Sequence, residues 1–92
     1  MSNNKYKILI VEDAANTRSF IKANLETSDY QVICAETCTL GIMMYASHHP
    51  DLIILDLGLP DRDGLDLIQE VRESDTVPII VLSARSNERD KV

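Results

Sequence analysis

Asp51-Leu52-Ile53-Ile54-Leu55-Asp56-Leu57-Gly58-Leu59-Pro60-Asp61-Arg62-Asp63-Gly64 is the stretch on which the fold turns. Four aliphatic residues run without a polar break and stop at a carboxylate. Such a run suits a strand buried on both faces, and Pro60 and Asp63-Gly64 signal a turn before the next element. The pattern occurs twice more: Ile8-Leu9-Ile10-Val11 ends in Glu12-Asp13, and Pro78-Ile79-Ile80-Val81-Leu82 ends at Ser83.

Between these runs the apolar spacing changes to that of helices. Phe20, Ile21 and Leu25 recur among Arg18, Lys22 and Asn24, predicting a helix over residues 15–25. Residues 30–35 read as a further strand. Leu40, Ile42, Met43, Met44 and Ala46 predict a helix over residues 39–48, closed by Pro50, with Met43 and Met44 as packing residues and His48 and His49 on the surface. Leu65, Leu67, Ile68 and Val71 mark a third helix. Alternating strands and helices give an α/β fold with a parallel sheet covered on both sides by right-handed crossovers. Ligands in such sheets bind at the carboxyl ends of the strands. Glu12, Asp13, Asp56 and Ser83 fall at those ends, from three separate strands.

Converging carboxylates repel one another, and a cation resolves the conflict. An all-oxygen set favours a hard ion, and Mg²⁺ takes one or two carboxylates, keeps waters and shares its remaining positions with phosphate oxygens. Asp13 and Asp56 are the expected direct ligands, with Glu12 acting through water and the Gly58 backbone carbonyl close by. A carboxylate beside Mg²⁺ can act as nucleophile toward a phosphoryl group, and Asp56 is placed for that role. Ser83 can hydrogen-bond a phosphoryl oxygen, and the small Ala84 leaves room for the group.

The 92-residue chain is 45% hydrophobic and 26% charged, the composition of one soluble domain. A net charge of −6 argues against direct nucleic-acid contact. No apolar run approaches the roughly 20 residues of a membrane span, and the opening Met1-Ser2-Asn3-Asn4-Lys5 lacks the apolar core of a signal peptide, so a cytoplasmic location is expected. Cys34 and Cys38 have no matching second pair and read as reduced thiols. Asp61, Asp63 and Asp66 suit turns and helix starts. Arg18 and Arg85 read as solvated surface.

The three strand-and-carboxylate blocks, the last continuing into Ser83-Ala84-Arg85, together resemble receiver domains of two-component response regulators. The Asp-Leu-Gly-Leu-Pro-Asp wording and the Ser-Ala-Arg ending are similar to OmpR-type transcriptional regulators, and within them the potassium-responsive Kdp regulators. The resemblance implies a flavodoxin-like three-layer sandwich with strand order 2-1-3-4-5. It also implies Mg²⁺ at the acidic pair and Asp56, a sensor histidine kinase as phosphodonor, and Ser83 and the Ala84 backbone contacting the phosphoryl group. A C-terminal DNA-binding output domain is implied too, with no enzymatic activity beyond the domain's own phosphorylation and dephosphorylation.

Residues 1–92 are expected to form a partial receiver domain, missing the last strand and helix and the Lys that pairs with the phosphoryl group; Lys91 comes too soon after Ser83 to replace it. The fourth strand would then be an edge open to homodimerisation or strand exchange. Three rival readings stand beside this one. A calcium loop over Asp61-Arg62-Asp63-Gly64 would need Leu59 as its first ligand. A haloacid-dehalogenase-like phosphatase needs a second Asp where the chain has Gly58. A non-phosphorylated interaction or dimerisation scaffold predicts that Asp56→Asn changes no binding property.

Overall fold

The computed structural model describes residues 5–82, in which strands and helices alternate throughout. They are β1 (Lys7–Val11), α1 (Ala15–Thr27), β2 (Gln31–Ala35), α2 (Cys38–His48), β3 (Leu52–Asp56), α3 (Gly64–Arg72) and β4 (Ile79–Leu82). The strands form one sheet of order β2-β1-β3-β4 with every neighbouring pair parallel. This is the doubly wound, flavodoxin-like arrangement expected from the sequence.

Successive strand residues point to opposite faces, so each aliphatic run serves two cores. Leu9, Val11, Ala35, Ile53 and Leu55 meet Cys38 of α2 and Leu67 and Val71 of α3 on one face. Ile8, Ile10 and Ile54 meet Ile21 and Leu25 of α1 on the other. The result is three layers, with β1 and β3 central among the described strands.

Three helical residues depart from the expected packing. Phe20 is 70% exposed, Met43 57% and Leu65 52%, whereas Ile21, Met44 and Leu67 pack on the sheet. A helix advances about 100° per residue, so adjacent apolar positions cannot both face one sheet. His48 and His49 are exposed, as expected. His49 leaves α2 in the left-handed region at φ 49°, its N–H donating to the Tyr45 carbonyl at 3.0 Å, just ahead of Pro50. Cys34 and Cys38 are free thiols packed in the cores on opposite faces of the sheet. Burial pushes both thiols up, which keeps them protonated.

The acidic turn after β3 works partly as predicted. Asp63 caps α3, its side chain accepting from the Leu65 N–H at 3.0 Å, and Asp66 pairs with Arg62 at 3.2 Å. Asp61 instead reaches across the fold to the start of α2, accepting the Cys38 N–H at 2.8 Å and the Thr39 N–H at 2.9 Å. It adds to the local cap from Thr37, whose side chain accepts the Leu40 N–H at 3.0 Å. Desolvation opposes ionisation of Asp61, but the hydrogen bonds from Thr39 and Cys38 outweigh it and hold the carboxyl well below the usual range.

A depressed folded-state pKa contributes stability that is present above the unfolded aspartate pKa and lost as pH falls through the folded value. Asp61→Ala is therefore expected to lower the melting temperature at neutral pH by about 5 °C, the scale of one lost helix cap in a small domain. The deficit should shrink as acid protonates Asp61 in the parent chain. Thermal melts of both chains across pH test this.

Candidate metal and phosphoacceptor site

The carboxyl ends of β1 and β3 bring Glu12, Asp13 and Asp56 together, with one carboxylate oxygen from each within 4.8 Å of the others. Their environments differ. Asp56, the last residue of β3, is 1% exposed, and Glu12, just past β1, is 2% exposed, while Asp13 sits half-buried in the bend before α1. Sequence distance of more than forty residues between the acidic pair and Asp56 is closed by the parallel register, which places Val11 beside Leu55.

Hydrogen bonds set the orientation of each group. Glu12 donates its N–H to the Ala35 carbonyl at 3.0 Å, and its carboxylate Oε2 accepts the Ala14 N–H at 2.9 Å. Asp56 Oδ1 accepts the Gly58 N–H at 3.2 Å. No glycine among the described residues has a positive φ, so Gly58 does not serve through left-handed backbone. Its carbonyl accepts no hydrogen bond from the described residues. Leu82 lies in register with Asp56. Ser83, Ala84, Arg85 and Lys91 fall outside the described residues.

Burial pushes the Glu12 carboxyl up from the ordinary glutamate value, and the neighbouring Asp56 and Asp13 add to the effect against the lowering bond from Ala14. Three acidic oxygens at such spacing, two of them on buried residues, fit a hard divalent cation: it would neutralise the charges by which the carboxylates otherwise repel one another. A raised folded-state pKa means that the folded chain keeps a proton which the unfolded chain has already released. Stability from Glu12 is thus full below the ordinary glutamate pKa and declines as pH rises through the raised one. Because a cation competes with that proton, stabilisation by millimolar Mg²⁺ over a chelator control is expected to grow with pH through this window. At a concentration of about 100 Kd it should reach about 2.7 kcal/mol. Chemical denaturation at stepped pH measures both quantities.

Two residues contribute to the site in ways their sequence positions conceal. Arg18, read as solvated, is half-buried and donates from Nη1 to the Glu12 carbonyl at 2.8 Å and to the Asp13 carbonyl at 3.4 Å. A signal was present: a cation in the first turn of a helix opposes the helix dipole and calls for local compensation. Gly64 opens α3 close behind Asp56, its N–H donating to the Leu57 carbonyl at 3.2 Å. The calcium-loop reading loses its ligands, because Asp61 and Asp63 hold the N-termini of α2 and α3.

The geometry agrees with comparison to known proteins. The family model described as response regulator receiver domain matches residues 8–92. The chain is 51% identical over 85 residues to the KDP operon transcriptional regulatory protein KdpE of Escherichia coli (strain K12), an alignment covering 92% of this chain and 38% of that protein. It is 45% identical over 87 residues to the virulence transcriptional regulatory protein PhoP of Salmonella typhimurium (strain 14028s / SGSC 2262), covering 94% of this chain and 39% of that one. The chain thus spans under two-fifths of the length of these curated relatives. Among solved structures, the non-phosphorylated HemR receiver domain from Leptospira biflexa superposes with a TM-score of 0.78 at 33% identity, covering 95% of this chain and 74% of that one.

Proposed function

Because the chain belongs to the response regulator receiver domain family, we propose that it accepts a phosphoryl group from a sensor histidine kinase on Asp56, with Mg²⁺ held by Asp13, Asp56, the Gly58 carbonyl and, through water, Glu12. The observation that carries this reading is a carboxylate buried at the end of a central strand, within 4.8 Å of two others. A buried charge is costly, and a site that gathers two buried carboxylates and a half-buried one has a use for their combined field.

In the transfer, an Asp56 carboxylate oxygen forms a bond to phosphorus while the donor's phosphorus–nitrogen bond breaks. The electron pair leaves on the imidazole nitrogen, which then takes up a proton. The Gly58 N–H restrains the rotation of the Asp56 carboxylate through Oδ1. When bound, Mg²⁺ would neutralise charge on the transferring oxygens. The Ser83 hydroxyl and the Ala84 backbone would contact those oxygens in the product, shifting the population of surfaces that control a C-terminal DNA-binding domain.

Intact-mass measurement after incubation with acetyl phosphate tests the reading. A single phosphoryl adduct that requires Mg²⁺ and is lost on chelation is expected. A chain that stays unmodified with and without Mg²⁺ would favour the interaction scaffold instead.

A further inference from the structure

The three carboxylates stand on backbone of different kinds. Asp56 is fixed by a strand, and Glu12 by its backbone bond to Ala35 and its side-chain bond from Ala14. Asp13 occupies the bend between β1 and α1, where no ladder holds the backbone. The Arg18 guanidinium crosses this bend and donates from Nη1 to the carbonyls on either side of the Asp13 Cα, that of Glu12 at 2.8 Å and that of Asp13 at 3.4 Å. Its own backbone N–H donates to the Ala14 carbonyl at 2.9 Å, so the side chain and main chain of one residue bracket the bend.

The start of α1 shows that local helix chemistry does not explain this residue. The cap residue Ala14 makes no side-chain cap bond, and the first turn carries no acidic residue. An arginine here works against the dipole, where a carboxylate would be favoured. Departures from local rules of this kind gather at functional sites.

We propose that Arg18 is the positioning residue that gives the site its preference for Mg²⁺ over Ca²⁺, by fixing the bend that carries Asp13. The inference rests on the Mg²⁺ site proposed above. Mg²⁺ demands near-ideal octahedral oxygens at about 2.0–2.1 Å, whereas Ca²⁺ accepts six to eight oxygens at about 2.3–2.6 Å in flexible geometry. Loosening one ligand therefore penalises Mg²⁺ more than Ca²⁺. The charge of Arg18 alone predicts the opposite sign, since removing a cation beside a divalent site strengthens binding of both ions.

Titration calorimetry of the full 92-residue chain with MgCl₂ and with CaCl₂ decides the matter, on the parent, Arg18→Met and Arg18→Lys. Met keeps the length without charge or donors; Lys keeps the charge and a donor nitrogen but does not reach as far as the Nη1 that serves both carbonyls. Arg18→Met is expected to weaken Mg²⁺ binding about tenfold while Ca²⁺ changes less than about twofold, and Arg18→Lys to weaken Mg²⁺ by at least about threefold. Equal factors for the two ions, tighter binding of both, or an unchanged preference would overturn the role of Arg18 and leave the Mg²⁺ site intact. A parent chain that binds neither ion would overturn the site and the role of Arg18 together.

Discussion

Asp56→Asn is expected to take up no phosphoryl group under conditions that fully modify the parent, and at the same time to melt at a higher temperature without metal. Both effects follow from one atom. The asparagine amide nitrogen has no lone pair free to attack phosphorus, and its carbonyl oxygen is a poor nucleophile. Removing one of three clustered negative charges relieves repulsion inside a region where Asp56 and Glu12 are 1% and 2% exposed. At an effective dielectric constant of about 20 and with carboxylate oxygens within 4.8 Å of one another, one such pair is worth a few kcal/mol before relaxation, so a gain of about 1–3 kcal/mol is expected. The Asn oxygen can keep the Gly58 N–H bond made by Asp56 Oδ1. Intact mass and metal-free thermal melts read the two effects separately. An adduct that survives on Asp56→Asn would move the acceptor elsewhere, and a lower metal-free melting temperature would mean that the cluster is not repulsive.

Gly64→Val is expected to cost about 2–3 kcal/mol and to weaken divalent binding with it. A Cβ at position 64 would stand 2.9 Å from Leu57 Cα and 3.0 Å from the Asp56 carbonyl oxygen. Those are backbone atoms and cannot swing aside, so either α3 withdraws or the end of β3 moves and takes the acceptor carboxylate with it. Gly41 supplies the control. There a Cβ would meet both methyl groups of Val11 and one of Leu67 at 2.9 to 3.0 Å, side-chain atoms of the core rather than backbone, which have to give by a few tenths of an ångström. The gain in helix propensity on replacing that glycine, about 1 kcal/mol, offsets part of the strain. Gly41→Ala should therefore stay within about 1 kcal/mol of the parent and keep its Mg²⁺ affinity, while Gly64→Val loses both. Denaturation and calorimetry on the pair separate overpacking in a core from displacement of the site.

Much of the fold was legible because strand burial leaves a direct mark on composition. Ile8 to Val11 and Leu52 to Leu55 are aliphatic at every position, which only a strand covered on both faces requires, and both faces are covered. Element ends were less legible. Thr37 caps α2 and admits Cys38 to the helix, and α1 continues through Thr27, two residues past its last apolar anchor, Leu25. Phe20 and Met43 misled for a different reason: apolar identity alone does not say which of two adjacent helical positions meets the sheet.

From the sequence by itself came the class of fold, the order of its elements and the identity of Glu12, Asp13 and Asp56, because periodicity and strand-end carboxylates are properties of neighbouring residues. Only the tertiary structure decided that Asp61 caps a helix begun twenty-three positions earlier, that Arg18 ties the bend of Asp13, and that Gly64 must be small. The first of these depends on the sheet order β2-β1-β3-β4, which sets loops from separate strands side by side at one edge, and the other two on how the connections after β1 and β3 fold back on themselves. A contact between such loops has no period along the chain, and its distance is fixed by packing rather than by sequence separation.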